Sequence, residues 1–181
     1  VPTPVPFWYL RHGETDWNTQ NLSQGNVDVP LNANGIAQAH AAAARLRERG
    51  IARIVASPLS RAQVTAEIVA AALGLAVELD AGLREVAFGE QEGRPMQPWF
   101  DDWIAGHFTP AGAEPFMALR ARAVAAVNRV LDHPLPVLVV GHGAFFRALR
   151  AAMGLAPNVR LPNATPLFCE PDGAVWRLTP A

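Results

Sequence analysis

The stretch "FWYLRHGETDWN" covers residues 7–18. Four large apolar or aromatic side chains run straight into Arg11-His12-Gly13, as in a short buried strand with a cation, an imidazole and a glycine at its tip. Whether other strands end in the same way decides the architecture. "IARIVAS" (51–57) reads as a second strand and stops at Ser57-Pro58, with Arg61 one helical turn on. "PVLVVGH" (136–142) is the clearest buried strand and stops at Gly141-His142-Gly143. "AVELD" (76–80) reads as a shorter strand, and "TPLFCE" and "AVWRL" as a closing pair around the turn "PDG".

Helical periodicity lies between these strands. In "NANGIAQAHAAAARLRERG", Asn32 is the expected N-cap, Ile36, Ala39, Ala43 and Leu46 the apolar face, and Gly50 the stop. "SPLSRAQVTAEIVAAALG" offers Ser57 as N-cap and Pro58 at the first helical position. Its expected buried stripe is Val64, Ile68, Ala72 and Leu75, with Gly74 near its end. Residues 84–113 lose the period, save for a short helix expected near 96–105 among Trp99, Phe100 and Trp103. A longer helix follows, with Phe116, Leu119, Ala123, Val127 and Val130 on one face. "GAFFRALRAAMG" is a further helix, with Phe145, Leu149 and Ala152 facing inward.

Strands alternating with helices predict an α/β three-layer sandwich, a mainly parallel sheet with helices on both faces. No linker or repeat divides the chain, so residues 1–181 read as one domain with a variable segment at about 94–113. In such a sheet, ligands bind at the carboxyl ends of the strands. Arg11, His12, Arg61 and His142 then converge on one edge. Glycines beside both histidines let backbone approach a ligand, and helix N-termini downstream add amide donors.

That constellation suits a phosphate. Arginine offers bidentate, permanently charged donors to phosphate oxygens. Two arginines beside a histidine favour its neutral, nucleophilic form. One histidine could thus attack phosphorus while the other hydrogen-bonds the phosphoryl oxygens. Expelling an alkoxide needs a proton donor, and a carboxyl group facing a phosphate dianion holds its proton more tightly. Glu14, Glu85, Glu90 and Glu92 are the candidates. Glu85 follows the third strand, but spacing alone does not choose among the four.

His40, His107 and His133 have no such placement and read as solvent-facing. The Trp99–Trp103 cluster reads as a packing patch rather than a binding box. No His or Cys spacing suggests a metal site. The single Cys169 excludes an internal disulfide and makes a cytoplasmic location the default. The N-terminus lacks the features of a signal peptide, and no run of eighteen apolar residues suggests a membrane span. Half the residues are hydrophobic and 17% charged, with a net charge of −1, which argues against a nucleic-acid footprint. All fifteen basic residues are Arg; with Ala and Pro also abundant, codon composition is the plain explanation.

"LRHGETDWN", "GNVDVPLNANGIAQA", "SPLSRAQVTAEIVA", "LREVAFGEQEG" and "VVGHGAFFRAL" occur in the order found in the histidine phosphatase superfamily, which the chain resembles over nearly its whole length. That group includes the cofactor-dependent phosphoglycerate mutases. The resemblance implies that His12 is the nucleophile that becomes phosphorylated. It implies that Arg11, Arg61 and His142 complete the phosphate pocket, and that Glu85 is the proton donor and later the base. Asn18, Gln24 and Gly25 are implied substrate contacts. No metal or organic cofactor is implied, and the expected partner is a small phosphorylated metabolite, with a homodimer one option for assembly.

The mutases it resembles are longer and carry Glu-Arg-His-Tyr-Gly after the glutamate; here the text is "REVAFGEQEG", as in phosphatase members. Segment 94–113 adds Arg94 and His107 but also Asp101 and Asp102, a poor second anionic clamp. Hydrolysis is therefore the expected reaction and mutase-type transfer the alternative; a non-catalytic phospholigand-binding module is a third. Where the family commonly reads Gly-Glu-Ser, this chain has Ala113-Glu114-Pro115. The layout also resembles alpha-ribazole phosphatases.

Overall fold

A computed structural model describes residues 1–181. Six strands form one sheet in the order β3-β2-β4-β1-β5-β6. They are β1 (Phe7–Arg11), β2 (Arg53–Ala56), β3 (Val77–Leu79), β4 (Val137–Gly141), β5 (Leu167–Asp172) and β6 (Val175–Pro180). The first four run parallel; β5 is antiparallel to β1, and β6 to β5. The helices are α1 (Asp16–Thr19), α2 (Ala33–Leu46), α3 (Ser60–Leu73), α4 (Phe100–Ile104), α5 (Phe116–Leu131) and α6 (Gly143–Ala152).

Successive side chains of a strand point to opposite faces, and β1 feeds two cores in this way. Phe7 and Tyr9 join Val137 and Val139 in a cluster completed by α5 and α6. Trp8 and Leu10 join Leu138 and Val140 in a second cluster completed by α2 and α3. Helices thus cover both faces of a mostly parallel sheet. None of the helices is long and apolar enough to cross a membrane.

Several local expectations shift. Asn32 does cap α2, accepting the Gly35 N–H at 2.8 Å, but the helix ends at Leu46 rather than near Gly50. Ile36 is 42% exposed, because Gly35, Ala39, Ala42, Ala43 and Leu46 make the inner face. In α3 the N-cap is Leu59, not Ser57. Its buried face is Arg61, Ala62, Thr65, Ala66, Val69 and Ala70, rather than the stripe through Val64 and Leu75. Small residues let α3 pack closely on α2 and β2, and that orientation carries the polar Arg61 and Thr65 inward, where a purely apolar pattern does not put them. Gly74 closes α3 in the left-handed region, φ 69°. The expected inner faces of α5 and α6 are buried as read. The β5–β6 turn falls at Gly173-Ala174, one residue beyond the "PDG" text.

Parallel pairing brings the carboxyl tips together. Arg11 lies opposite Gly141, the His12 N–H donates to the Gly141 carbonyl at 3.0 Å, and the Ser57 N–H to that of Val140 at 3.0 Å.

Candidate active site

His12 sits just past β1 and is 2% exposed. Its Nδ1 lies 2.6 Å from the Gly13 carbonyl. A carbonyl only accepts, so Nδ1 carries the proton and Nε2 keeps a bare lone pair. Burial first, then Arg61 and Arg11, hold the imidazole well below its ordinary pKa, so it is neutral. The loop that fixes it is tight: the Gly13 N–H donates to Thr65 Oγ1 at 3.0 Å, and a side chain at Gly13 would run into the Gly35 carbonyl.

Both arginines are held by carbonyls rather than carboxylates. Arg61 donates from Nη1 to Val27 O and from Nη2 to Gly25 O, each at 2.7 Å. Arg11 donates from Nη1 to Leu161 O at 2.7 Å. Burial pushes each guanidinium down to about 10, which leaves it charged at neutral pH. Arg11 passes close over Gly143, where a Cβ would lie 3.1 Å from its Nε.

His142 is fully buried and caps α6; its ring centroid is 5.4 Å from that of His12. Its Nε2 meets Ser57 Oγ at 2.8 Å, so the residue expected as a helix cap instead orients the second imidazole. The Tyr9 hydroxyl fixes the same backbone twice, donating to His142 O and accepting from His142 N, both at 2.9 Å. Burial, then Arg61, His12 and Arg11, keep His142 neutral as well. Arg11 Nε, Arg61 Nε and His142 Nδ1 are buried with no protein partner. Unpartnered buried nitrogens are rare and costly, and all three belong to residues that flank His12.

Glu85, 7% exposed, faces the N-terminus of α6. Its Oε1 accepts the N–H groups of Phe145 at 2.8 Å and Val86 at 3.1 Å, and its Oε2 that of Ala144 at 3.0 Å. The other three glutamates lie elsewhere. Glu14 accepts from Asn32 and Asn34, Glu90 from Ala111 N, and Glu92 from Asn26 N and Phe88 N.

Arg11, His12, Arg61 and Glu85 line a single cavity of about 160 Å³, with His142 buried beside His12 rather than in the wall. Asn18, Gln24 and Gly25 line it too. Asn18 Oδ1 accepts the Thr15 N–H at 3.0 Å and Gln24 Oε1 the Thr15 hydroxyl at 2.9 Å, which leaves the NH₂ of both amides available. Gly25 has φ 54°, and a Cβ there would collide with Glu92.

Sequence reasoning missed Arg147, Arg160, Phe88, Met96, Gln97 and Phe100, all in the wall. Arg147 was within reach of it, lying one turn beyond Gly143 on the same helix face; Arg160 stands in an aperiodic loop that offered no signal. Segment 94–113 contributes Met96, Gln97 and Phe100, while Arg94 and His107 are exposed and outside the cavity. Trp99 and Trp103 pack edge-on against Phe88 and do not reach the wall. His40, His107 and His133 are exposed. No group of three His, Cys, Asp or Glu side chains is close enough to hold a metal ion.

The family model described as "Histidine phosphatase superfamily (branch 1)" matches residues 7–177. A relative from Yersinia enterocolitica, named probable phosphoglycerate mutase GpmB, is 40% identical over 173 residues, covering 86% of this chain and 80% of that protein. Among solved structures, a mycobacterial glucosyl-3-phosphoglycerate phosphatase, in complexes with VO3, matches with TM-score 0.82 and 31% identity, over 96% of each chain. A putative alpha-ribazole-5'-P phosphatase from Escherichia coli matches with TM-score 0.83 and 27% identity, over 98% of this chain and 96% of that one.

Proposed function

Since the chain belongs to the histidine phosphatase superfamily, we propose that it hydrolyses a small phosphate monoester through a phosphohistidine on His12. One observation carries the reading. The free Nε2 of a neutral imidazole shares a small cavity with Arg11 and Arg61, and three buried nitrogens around it lack partners.

Arg11 and Arg61 bind the phosphoryl oxygens, their charges matching a dianion. His142, held by Ser57, gives its remaining N–H to the same group. His12 Nε2 attacks phosphorus in line, forming the N–P bond as the ester P–O bond breaks, and the leaving oxygen takes a proton from Glu85. Water then attacks the phosphohistidine; Glu85 takes its proton, the N–P bond breaks and phosphate departs. The two guanidiniums stabilise the charge that spreads over the transferring group, and their carbonyl tethers fix them before substrate arrives. Accelerations of up to about 10²¹-fold are known for phosphate monoester hydrolysis, which is the scale such preorganisation has to serve.

The partner in this reading is a small phosphorylated metabolite of the cytoplasm. A cavity of about 160 Å³ suits a molecule below the usual drug-sized range. The name of the Yersinia relative favours a second reading, mutase-type phosphoryl transfer. Incubating the protein with p-nitrophenyl phosphate and with 3-phosphoglycerate separates them. Hydrolysis is expected to release inorganic phosphate; conversion to 2-phosphoglycerate without net release would establish the mutase. Full turnover by His12→Ala would refute both.

A further inference from the structure

Resting on that reading of the cavity as a phosphomonoester site, we infer that Arg147 and Arg160 form a second anion subsite at its mouth, selecting substrates with a further anionic group a few bonds from the ester. Arg147 comes from α6 and Arg160 from the loop after it; both line the cavity with Arg11 and His12. Charge matching makes them surplus to one phosphoryl group, because Arg11 and Arg61 already balance a dianion.

Neither side chain makes a hydrogen bond or an ion pair. That separates them from Arg53, Arg122, Arg129 and Arg177, which pair with Glu78, Glu114, Asp80 and Glu170. Arg147 is half-buried, and its guanidinium lies 4.7 Å from the Phe100 ring, braced by an aromatic face rather than by an anion. Burial works first against its charge, Glu85 supports it at a distance, and its like-charged neighbour Arg160 opposes it. Arg160 also works against the charge of Arg11. Glu85 is the sole carboxylate in the wall, and three backbone amides already engage it. Asp101 acts on Arg147 from further off, beyond ion-pair range, and accepts the Asn158 amide at 3.0 Å. A half-buried cation with no ion-pair partner in contact is costly, and an incoming carboxylate or second phosphate supplies one. The clamp that segment 94–113 was not expected to provide is thus furnished by α6 and its following loop.

The test is binding without turnover. His12→Ala is titrated calorimetrically with 3-phosphoglycerate and with glycerol 3-phosphate, which differ only by a carboxylate in place of a hydroxymethyl group. A charge-assisted hydrogen bond from each arginine predicts a preference for the acid of about tenfold per arginine, about a hundredfold for the two. Glycerol 1,3-bisphosphate forms a third arm, and the tighter of the two dianionic-plus-anionic ligands identifies the second anion. Adding Arg160→Gln, a change at an exposed side chain that leaves packing intact, should cut the preference by about tenfold; Arg147→Gln should do the same. Equal affinity of all three ligands, or a preference that survives both substitutions, overturns the subsite. Loss of wild-type turnover would sink the phosphatase reading and leave this affinity ratio standing on its own.

Discussion

Acidification should destabilise this protein through its two site histidines. His12 and His142 are buried and held neutral, their pKa values pushed well below 6.5 by burial first and by neighbouring arginines second. In the unfolded chain each titrates near ~6.5. Below that pH the unfolded state binds more protons than the folded one, so stability is fully present above 6.5 and is lost as pH falls. Each imidazole contributes about 1.4 kcal/mol per pH unit once the pH is well under 6.5, and the two together about 2.7. The loss continues as the pH falls toward the depressed folded-state values, and each pH unit well inside that window removes a large share of a stability of ~5–15 kcal/mol. With the rings 5.4 Å apart, protonating one further opposes protonating the other. Urea unfolding followed by tryptophan fluorescence at pH 7, 6, 5.5 and 5 measures the effect. His12→Gln removes one of the two protons and should about halve the slope. A wild-type stability that changes by less than about 1 kcal/mol between pH 7 and pH 5 would refute the burial and neutrality of the pair.

Two further outcomes follow from contacts around the site. Tyr9→Phe strips the N–H and C=O of His142 of their shared partner inside the core; the expected cost is about 2–4 kcal/mol, seen as a melting temperature lower by about 5–15 °C. A shift within 1 °C, by about the resolution of a scan, would mean that the hydroxyl does not hold this backbone. Arg122 bonds the Glu114 carboxylate at 2.7 and 3.0 Å and the carbonyls of Gly82 and Arg84 at 2.9 and 2.8 Å, fastening the turn before Glu85 to α5. Arg122→Met should lower kcat by about tenfold with KM little changed, because Arg11 and Arg61 are untouched, with partial rescue by Arg122→Lys; a raised KM at constant kcat would contradict that positioning role.

How much of this was legible in the sequence depends on which groups carry the information. Strand identity was legible because β1, β2 and β4 are apolar runs buried on both faces, and parallel pairing then forced Arg11, Arg61 and His142 to one edge. The α5 face was legible because its apolar period is unbroken. The α3 face was misread because its inner surface includes Arg61 and Thr65, polar residues turned inward for the site. Ser57 was misread for a related reason. A serine before a proline has the right chemistry for a helix cap, and only the position of β4 reveals that His142 claims its hydroxyl. Local propensity and the site compete for the same residue types, and the site wins where the fold brings a buried imidazole within reach.

The same logic explains why four glutamates could not be ranked from spacing, although one differs from the rest. Glu85 is distinguished by what meets it, the first free amides of α6, and those become free only because His142 ends β4 and caps that helix. His142 therefore does two things at once: its ring adds an imidazole beside His12, and its backbone sets where the α6 amides present themselves to Glu85. Tyr9, from the strand that also delivers His12, grips that backbone from both sides. The arrangement links the strand that carries His12, the second histidine and the carboxylate through one hydroxyl, so their spacing is set by core packing on β1 and β4 and not by the loops around the mouth. Loops supply Arg160, Met96 and Gln97 to the wall of the cavity. Chemistry is thereby fixed by the sheet, and substrate choice is left to segments that can change without disturbing it.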